Sequence, residues 1–483
     1  MLLMNKITLN MKTYLAYTFS FLVGLSLTLS GCNDFLEEEP RNFLSPDQFY
    51  QTPSQATSAI IGVYDVLDNP DMYGQQGFIS AGDGASDNLL GGVSTMVNKS
   101  QNPLTYEMDA GNTRILDFYE ASYQLINRAN AVVDRLAESP VDDEIKQDIT
   151  AEAKFLRALA YFNIVQMFGD VILRTEEAAS LDNLDQPRSP ASDVYAQIIQ
   201  DLQAASSDLP NEPLGVGRAD AWAARALLAK VYLTAEQPNE AAQLTGEIIN
   251  SGEFSLVSEY NRLFRPENSG LTEEIIFAVQ YGPQRRNILT DFLTVAETSA
   301  YGAFEPIDNL FTNDLYEESD LRREYTVFDS IVWQGEWLVP AVGLSFLKFA
   351  EEHYIDGIPE GQSGTMNFPV LRYADVLLVQ AEALARANGN PTTEAYDALN
   401  QVRARAGLSE VSGLSQEEFL DLLLRERRLE FVLEGHRWFD LKRFGKLDEK
   451  MQVFEGWQSH FQLFPIPEAA ITANPLLTQN DNY

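Results

Sequence analysis

The chain has 483 residues, 45% hydrophobic and 11% aromatic, which is enough apolar side chain to bury a large core and excludes a disordered chain. Against 71 Asp and Glu stand 34 Lys and Arg, a net charge of −37 that repels polyphosphate and makes nucleic acid and anionic lipid headgroups poor partners. With 1 Cys and 3 His, disulfides, thiol chemistry and histidine-based metal sites have almost nothing to work with, and no glycine-rich loop ends in Lys-Ser or Lys-Thr to hold a triphosphate.

The amino terminus has the layout of an export signal. Lys6 and Lys12 are the only charges before Cys32, and Tyr14 to Gly31 is an uncharged run ending in small residues. Leu29-Ser30-Gly31-Cys32 fits a bacterial lipobox, in which the cysteine sulfur carries diacylglycerol and the signal, residues 1–31, is removed. An uncleaved membrane anchor and an ordinary signal with an incidental cysteine are the other readings of this stretch. Translation can begin at Met1, Met4 or Met11; the last gives a shorter signal. No second cysteine exists, so the exported fold rests on its apolar core.

Ser45-Pro46-Asp47, a cap followed by proline, predicts a helix over about 46–68. From Asn69 to Thr113 glycine, asparagine and serine replace any sustained period. Helical spacing returns in "RILDFYEASYQLINRANAVVDRLAES" and in "IKQDITAEAKFLRALAYFNIVQMFG", where Ala153, Leu156, Ala160, Ile164 and Met167 form one stripe and Gly169-Asp170 ends the helix. Two further pairs turn at Gln237-Pro238 and at Gly389-Asn390-Pro391. Their alanines permit close helix approach, and their length is near the tetratricopeptide period. The expected fold is mainly α, with four tetratricopeptide-like helix pairs starting near 115, 191, 219 and 370, interrupted by loop-rich insertions with short β segments. The largest insertion, about 255–368, is rich in aromatics and β-prone runs.

The densest charge cluster is "RERRLEFVLEGHRWFDLKR". Glu426, Glu430 and Glu434 recur every four residues, as a carboxylate metal site on one helix face would, but Arg425, Arg427, Arg428, Arg437 and Arg443 interleave. Structural ion pairing, Arg427 to Glu430 and Glu434 to Arg437, is the favoured reading, with no metal and no catalytic residue assigned. A glycosidase needs only two suitably spaced carboxylates, and nothing selects a pair among 71 acids. Sugar rings stack on aromatic faces while their hydroxyls seek amides, acids and arginine. Trp333 and Trp337, four apart with Gln334 and Glu336 between them, fall on one side of either a strand or a helix. Tyr281, Arg285, Arg286 and Tyr301 share that insertion; Tyr73, Phe78, Asp83, Asp87 and Asn88 lie in the earlier loop. Inward packing is the competing fate of each aromatic.

The order of "NDFLEEEP", "INRANAVVDRL", "AEAKFLRALAYFNIVQMFGDV", "GRADAWAARALLAKVYL", "LRYADVLLVQAEALARANG", "LLLRERRLEFVLEGHRWFDLKRFG" and the closing "LFPIPEAAITANPLLTQNDNY" resembles the SusD/RagB-type outer-membrane lipoproteins of Bacteroidota. The resemblance covers nearly all of residues 32–483. It implies one SusD-like domain with an N-terminal part to about 260, the variable insertion, and a C-terminal helical part from about 369. It further implies a surface-exposed protein anchored by diacylglycerol and an N-acyl chain on Cys32, with no other cofactor. Its partner would be a SusC-type TonB-dependent transporter, to which it delivers captured oligosaccharide without catalysis. Peptide or glycopeptide capture and, more remotely, surface glycosidase activity are the competing functions. Family ligand residues differ between members, so Trp333, Trp337, Tyr301, Tyr281, Arg285, Tyr73, Asp83 and Asn88 stand as ligand candidates on their chemistry alone.

Overall fold

In a computed structural model, the protein is described over residues 49–483 apart from 75–76, 91–95, 97, 100–105, 179, 181–183, 265–272, 283–286, 288–304, 307–314, 329, 334–335, 339–344 and 350–364. Cys32, Arg285, Arg286 and Tyr301 lie outside the described residues. Tyr50–Tyr483 forms one unit.

Helix α1 spans Pro53–Tyr64. The cap-then-proline signal that starts it is Thr52-Pro53 rather than Ser45-Pro46. Thr52 Oγ1 accepts the Gln55 N–H at 3.3 Å, and the Gln55 side chain accepts the Thr52 N–H at 3.1 Å. This reciprocal box satisfies two of the donors that a helix start leaves open. Seven more helices build the scaffold: α2 Thr113–Ala137, α3 Asp143–Phe168, α4 Ala191–Asp208, α5 Ala221–Thr234, α6 Pro238–Ser251, α7 Tyr373–Asn388 and α8 Thr393–Arg405. Asn112, Asp142, Asp220 and Thr392 cap α2, α3, α5 and α8, and left-handed glycines at 252 and 389 end α6 and α7. Each helix from α2 to α8 packs on the next, while α1 lies against α2 and α3.

The stripe on α3 is buried as expected, but Phe155, Leu159, Tyr161 and Phe162 are buried too, so α3 is the centre of the bundle. The hairpins starting near 115, 219 and 370 are α2–α3, α5–α6 and α7–α8, with short connections. The helix from 191, α4, packs between α3 and α5 instead of beside a partner of its own. Fully buried alanines at 223, 224, 229, 374, 381 and 383 let these backbones approach.

Strand β1, Ile275–Val279, leaves the scaffold for the insertion, and β4, Phe368–Arg372, brings the chain back beside it, antiparallel with Phe368 opposite Val279. The insertion is thus closed at its base. Inside it, β2 (Ile331–Trp333) and β3 (Glu336–Leu338) make a hairpin. Helix α9, Gln416–Phe431, packs on α7, and the short α10, Arg437–Arg443, follows one turn later. Among the described residues no helix is long and apolar enough to cross a membrane.

Candidate functional site

The arginine- and glutamate-rich stretch becomes α9, the turn 432–436 and α10, and it is almost wholly buried. The expected local pairs do not form. Arg427 donates to Asp375 at 2.7 Å and to Asp440 at 2.9 Å, and Arg437 grips both Asp87 oxygens at 2.7 and 2.9 Å. A buried helix faces other elements on all sides, so most of its charges pair across to them; Asp440 and Arg443 on α10, 2.9 Å apart, are a local pair that does form.

Two irregular segments are fastened to this hub. From the insertion, Arg372 at the end of β4 reaches Glu434 (2.7 Å), Glu430 (2.6 Å) and Glu274 (2.9 Å). Arg322 pairs with Asp320 and Glu426 at 2.7 and 2.6 Å, and Lys348 donates to Glu434 at 2.6 Å and to the Glu430 carbonyl at 3.0 Å. Burial alone would raise the Glu430 carboxyl, but Arg405, Arg372 and Arg322 outweigh it and hold the group well below the usual range. Burial pushes the Lys348 ammonium down to about 8, against the pull of Glu434. Among the described residues, no group of carboxylates and histidines could hold a metal ion.

From the earlier loop, Arg428 donates to Asn88 Oδ1 at 2.8 Å and to the Asp87 carbonyl at 2.6 Å. Asp83 accepts the Gly435 N–H at 2.7 Å and the Asn88 amide at 2.6 Å, while burial pushes its carboxyl up to about 6. Backbones touch here. A Cβ on Gly82 would lie 2.0 Å from the Gly435 carbonyl oxygen. Beyond this anchor Leu89–Leu90 pairs antiparallel with Glu305–Pro306 of the insertion. The two variable segments therefore meet, and their junction is the candidate site.

This placement corrects several expectations. Asp83, Asp87 and Asn88 are buried, and the bonds above commit them to holding the loop rather than facing a ligand. Tyr73 is also interior, its hydroxyl accepting from Asn163 at 2.7 Å and its ring against Phe78 and Phe368. Tyr281 is half-buried two residues past β1, its N–H donating to Asn367 Oδ1 at 2.8 Å. In the hairpin Trp333 pairs with Glu336, and Trp337 with Val332. Paired residues share a face and successive ones alternate, so positions 333 and 337 fall on opposite faces of the ribbon. Spacing of four means one side only within an unbroken strand or helix. Sequence reasoning missed Arg322, Lys348 and Arg372 as anchors; the signal for Lys348 and Arg372 was a lone charge inside an apolar run, "SFLKFA" and "FPVLRY", whereas Arg322 sits among other charges in "DLRREY" and carries no such mark.

A model of the SusD family matches residues 285–483, and a second, described as starch-binding and associating with the outer membrane, matches residues 34–233. SusD-like protein P25 of Formosa agariphila is 27% identical over 516 aligned positions, 95% of this chain and 97% of that one. A SusD superfamily crystal structure from Parabacteroides distasonis superposes with a TM-score of 0.77 at 26% identity, covering 89% of this chain and 99% of its own. A laminarin-binding SusD-like protein does so at 0.74 and 27%, covering 90% and 100%. Both ends of the chain match, and relatives run its length in sequence and in fold: the protein belongs to the SusD/RagB family.

Proposed function

We propose that this protein is a non-catalytic glycan-binding lipoprotein of the outer membrane, moored by lipid on Cys32, which captures oligosaccharide at the junction of its two irregular segments. It passes the ligand to a SusC-type TonB-dependent transporter. The observation that carries the reading is full-length similarity to a protein described as laminarin-binding, together with a family model described as starch-binding. The commitment of Glu426, Glu430 and Glu434 to arginines and lysine removes these three from a hydrolytic role, since a glycosidase needs carboxylates that reach substrate.

The hairpin sharpens the test. With Trp333 and Trp337 on opposite faces, one tryptophan serves as the stacking platform. In calorimetry of the full-length protein in detergent against laminarihexaose and maltohexaose, one of Trp333→Ala and Trp337→Ala should weaken binding at least about tenfold, roughly 1.4 kcal/mol, and the other should not. Unchanged affinity in both variants removes the hairpin from the site. Absence of binding to any saccharide in a wider neutral and acidic panel removes the glycan reading.

A further inference from the structure

A concavity lies on the helical scaffold, built by none of the residues of the junction. It is an open cleft of about 410 Å³ between α2, residues Ile172, Arg174, Ala178, Leu184 and Asp185, and the C-terminal residues 470–477. Tyr119, Tyr123 and Asn127 follow one another at four-residue spacing along α2 and line one wall. The two tyrosine rings sit 4.8 Å apart, centroid to centroid. Their neighbours fix them. Tyr123 Oη donates to the Ile172 carbonyl at 3.0 Å, and Asn127 Oδ1 accepts the Ala178 N–H at 2.8 Å, which leaves the Asn127 NH2 group for other company. The opposite wall is tied down as firmly: Asn474 donates to the Gln186 carbonyl at 2.8 Å, and Arg188 donates to Asn480 at 2.6 Å.

Shape and chemistry select the occupant. The cleft falls in the range of small-ligand sites, roughly 300–1,000 Å³. A stable protein interface, by contrast, covers about 800 Å² on each partner. Its lining joins tyrosine and aliphatic side chains to the amides of Asn127, Asn130 and Asn474, and carries two acids, Glu120 and Asp185, and one guanidinium, Arg174. An aromatic and aliphatic wall with hydrogen-bonding groups beside it suits the C–H face and hydroxyl edge of a pyranose. The two acids, on a chain of net charge −37, turn away a polyanion. We propose that this cleft is a second saccharide-binding site, for one or two neutral sugar units, held on the rigid scaffold apart from the junction. It rests on the saccharide-binding reading given above.

Ala473 lines the cleft from an exposed helix position, so Ala473→Trp fills the space without disturbing the core. Calorimetry of the full-length protein in detergent with laminarihexaose and maltohexaose should give two sites for wild type and one for Ala473→Trp, with Asn127→Ala weakening the same site at least about tenfold. Thermal melting checks that both variants are folded. A single site untouched by either variant overturns the cleft and leaves the junction standing. A single site lost in both variants supports the cleft and overturns the junction. If Ala473→Trp keeps all saccharide binding but loses co-purification of the transporter, the cleft is a protein-docking surface and the proposal fails. No saccharide binding at all overturns the glycan reading together with this one.

Discussion

Arg372 shows how much of this protein's order depends on single buried charges. It is 2% exposed and answers three carboxylates, Glu274, Glu430 and Glu434. Removing one partner of a buried ion pair leaves the others uncompensated, a loss of about 3–5 kcal/mol. Arg372→Ala should therefore cost that much in urea-denaturation stability. Arg372→Lys should recover only part of it, because an ammonium cannot reproduce the guanidinium fork. A loss below about 1 kcal/mol would mean that the hub is not what holds β4. The sequence made the charge cluster and its structural nature legible, whereas the partners were not. Arg427 finds Asp375 at a separation of 52 residues and Arg437 finds Asp87 at 350, distances that no local spacing rule reaches.

At the level of elements, helices announced themselves through caps, small residues and terminal glycines, since these depend on a few consecutive residues. The boundary of α1 was misread because the same cap-proline signal occurs twice, at Ser45-Pro46 and Thr52-Pro53. The junction was illegible for a different reason: it is made by close backbone approach. Gly82 meets the turn carrying Leu433 (φ 64°) and Gly435 (φ 79°), where a Cβ has no room. Gly82→Ala should destabilise the protein by about 1–3 kcal/mol, the usual cost of overpacking, and should weaken glycan binding through displacement of the loop bearing Leu89–Leu90. A melting temperature and affinity equal to wild type would show that the loop adapts and that its anchoring is irrelevant to the site.

For the whole molecule, the proposed work requires a tether and a route inward. One acyl chain holds a protein only marginally at a membrane, while two or more hold it stably, so the triacylated Cys32 expected here should suffice. From gently solubilised outer membranes, the wild-type protein should co-purify with a large β-barrel transporter. Cys32→Ser, which has no thiol to carry diacylglycerol, should lose labelling by radioactive palmitate and abolish that recovery. Recovery of wild type alone would count against a stable complex, and absence of palmitate label on wild type against the lipid anchor.

By itself the sequence determined the helical scaffold and the family, because periodicity, caps and ordered motifs are properties of neighbouring residues. Tertiary structure decided which candidate side chains are free to meet a ligand. Tyr73, Asp83 and Asn88 carry suitable chemistry but spend it inside the protein, and Trp333 and Trp337 stand on two paired strands, in a register that only tertiary structure reveals. Composition names the groups that could bind; burial and register determine which of them face outward.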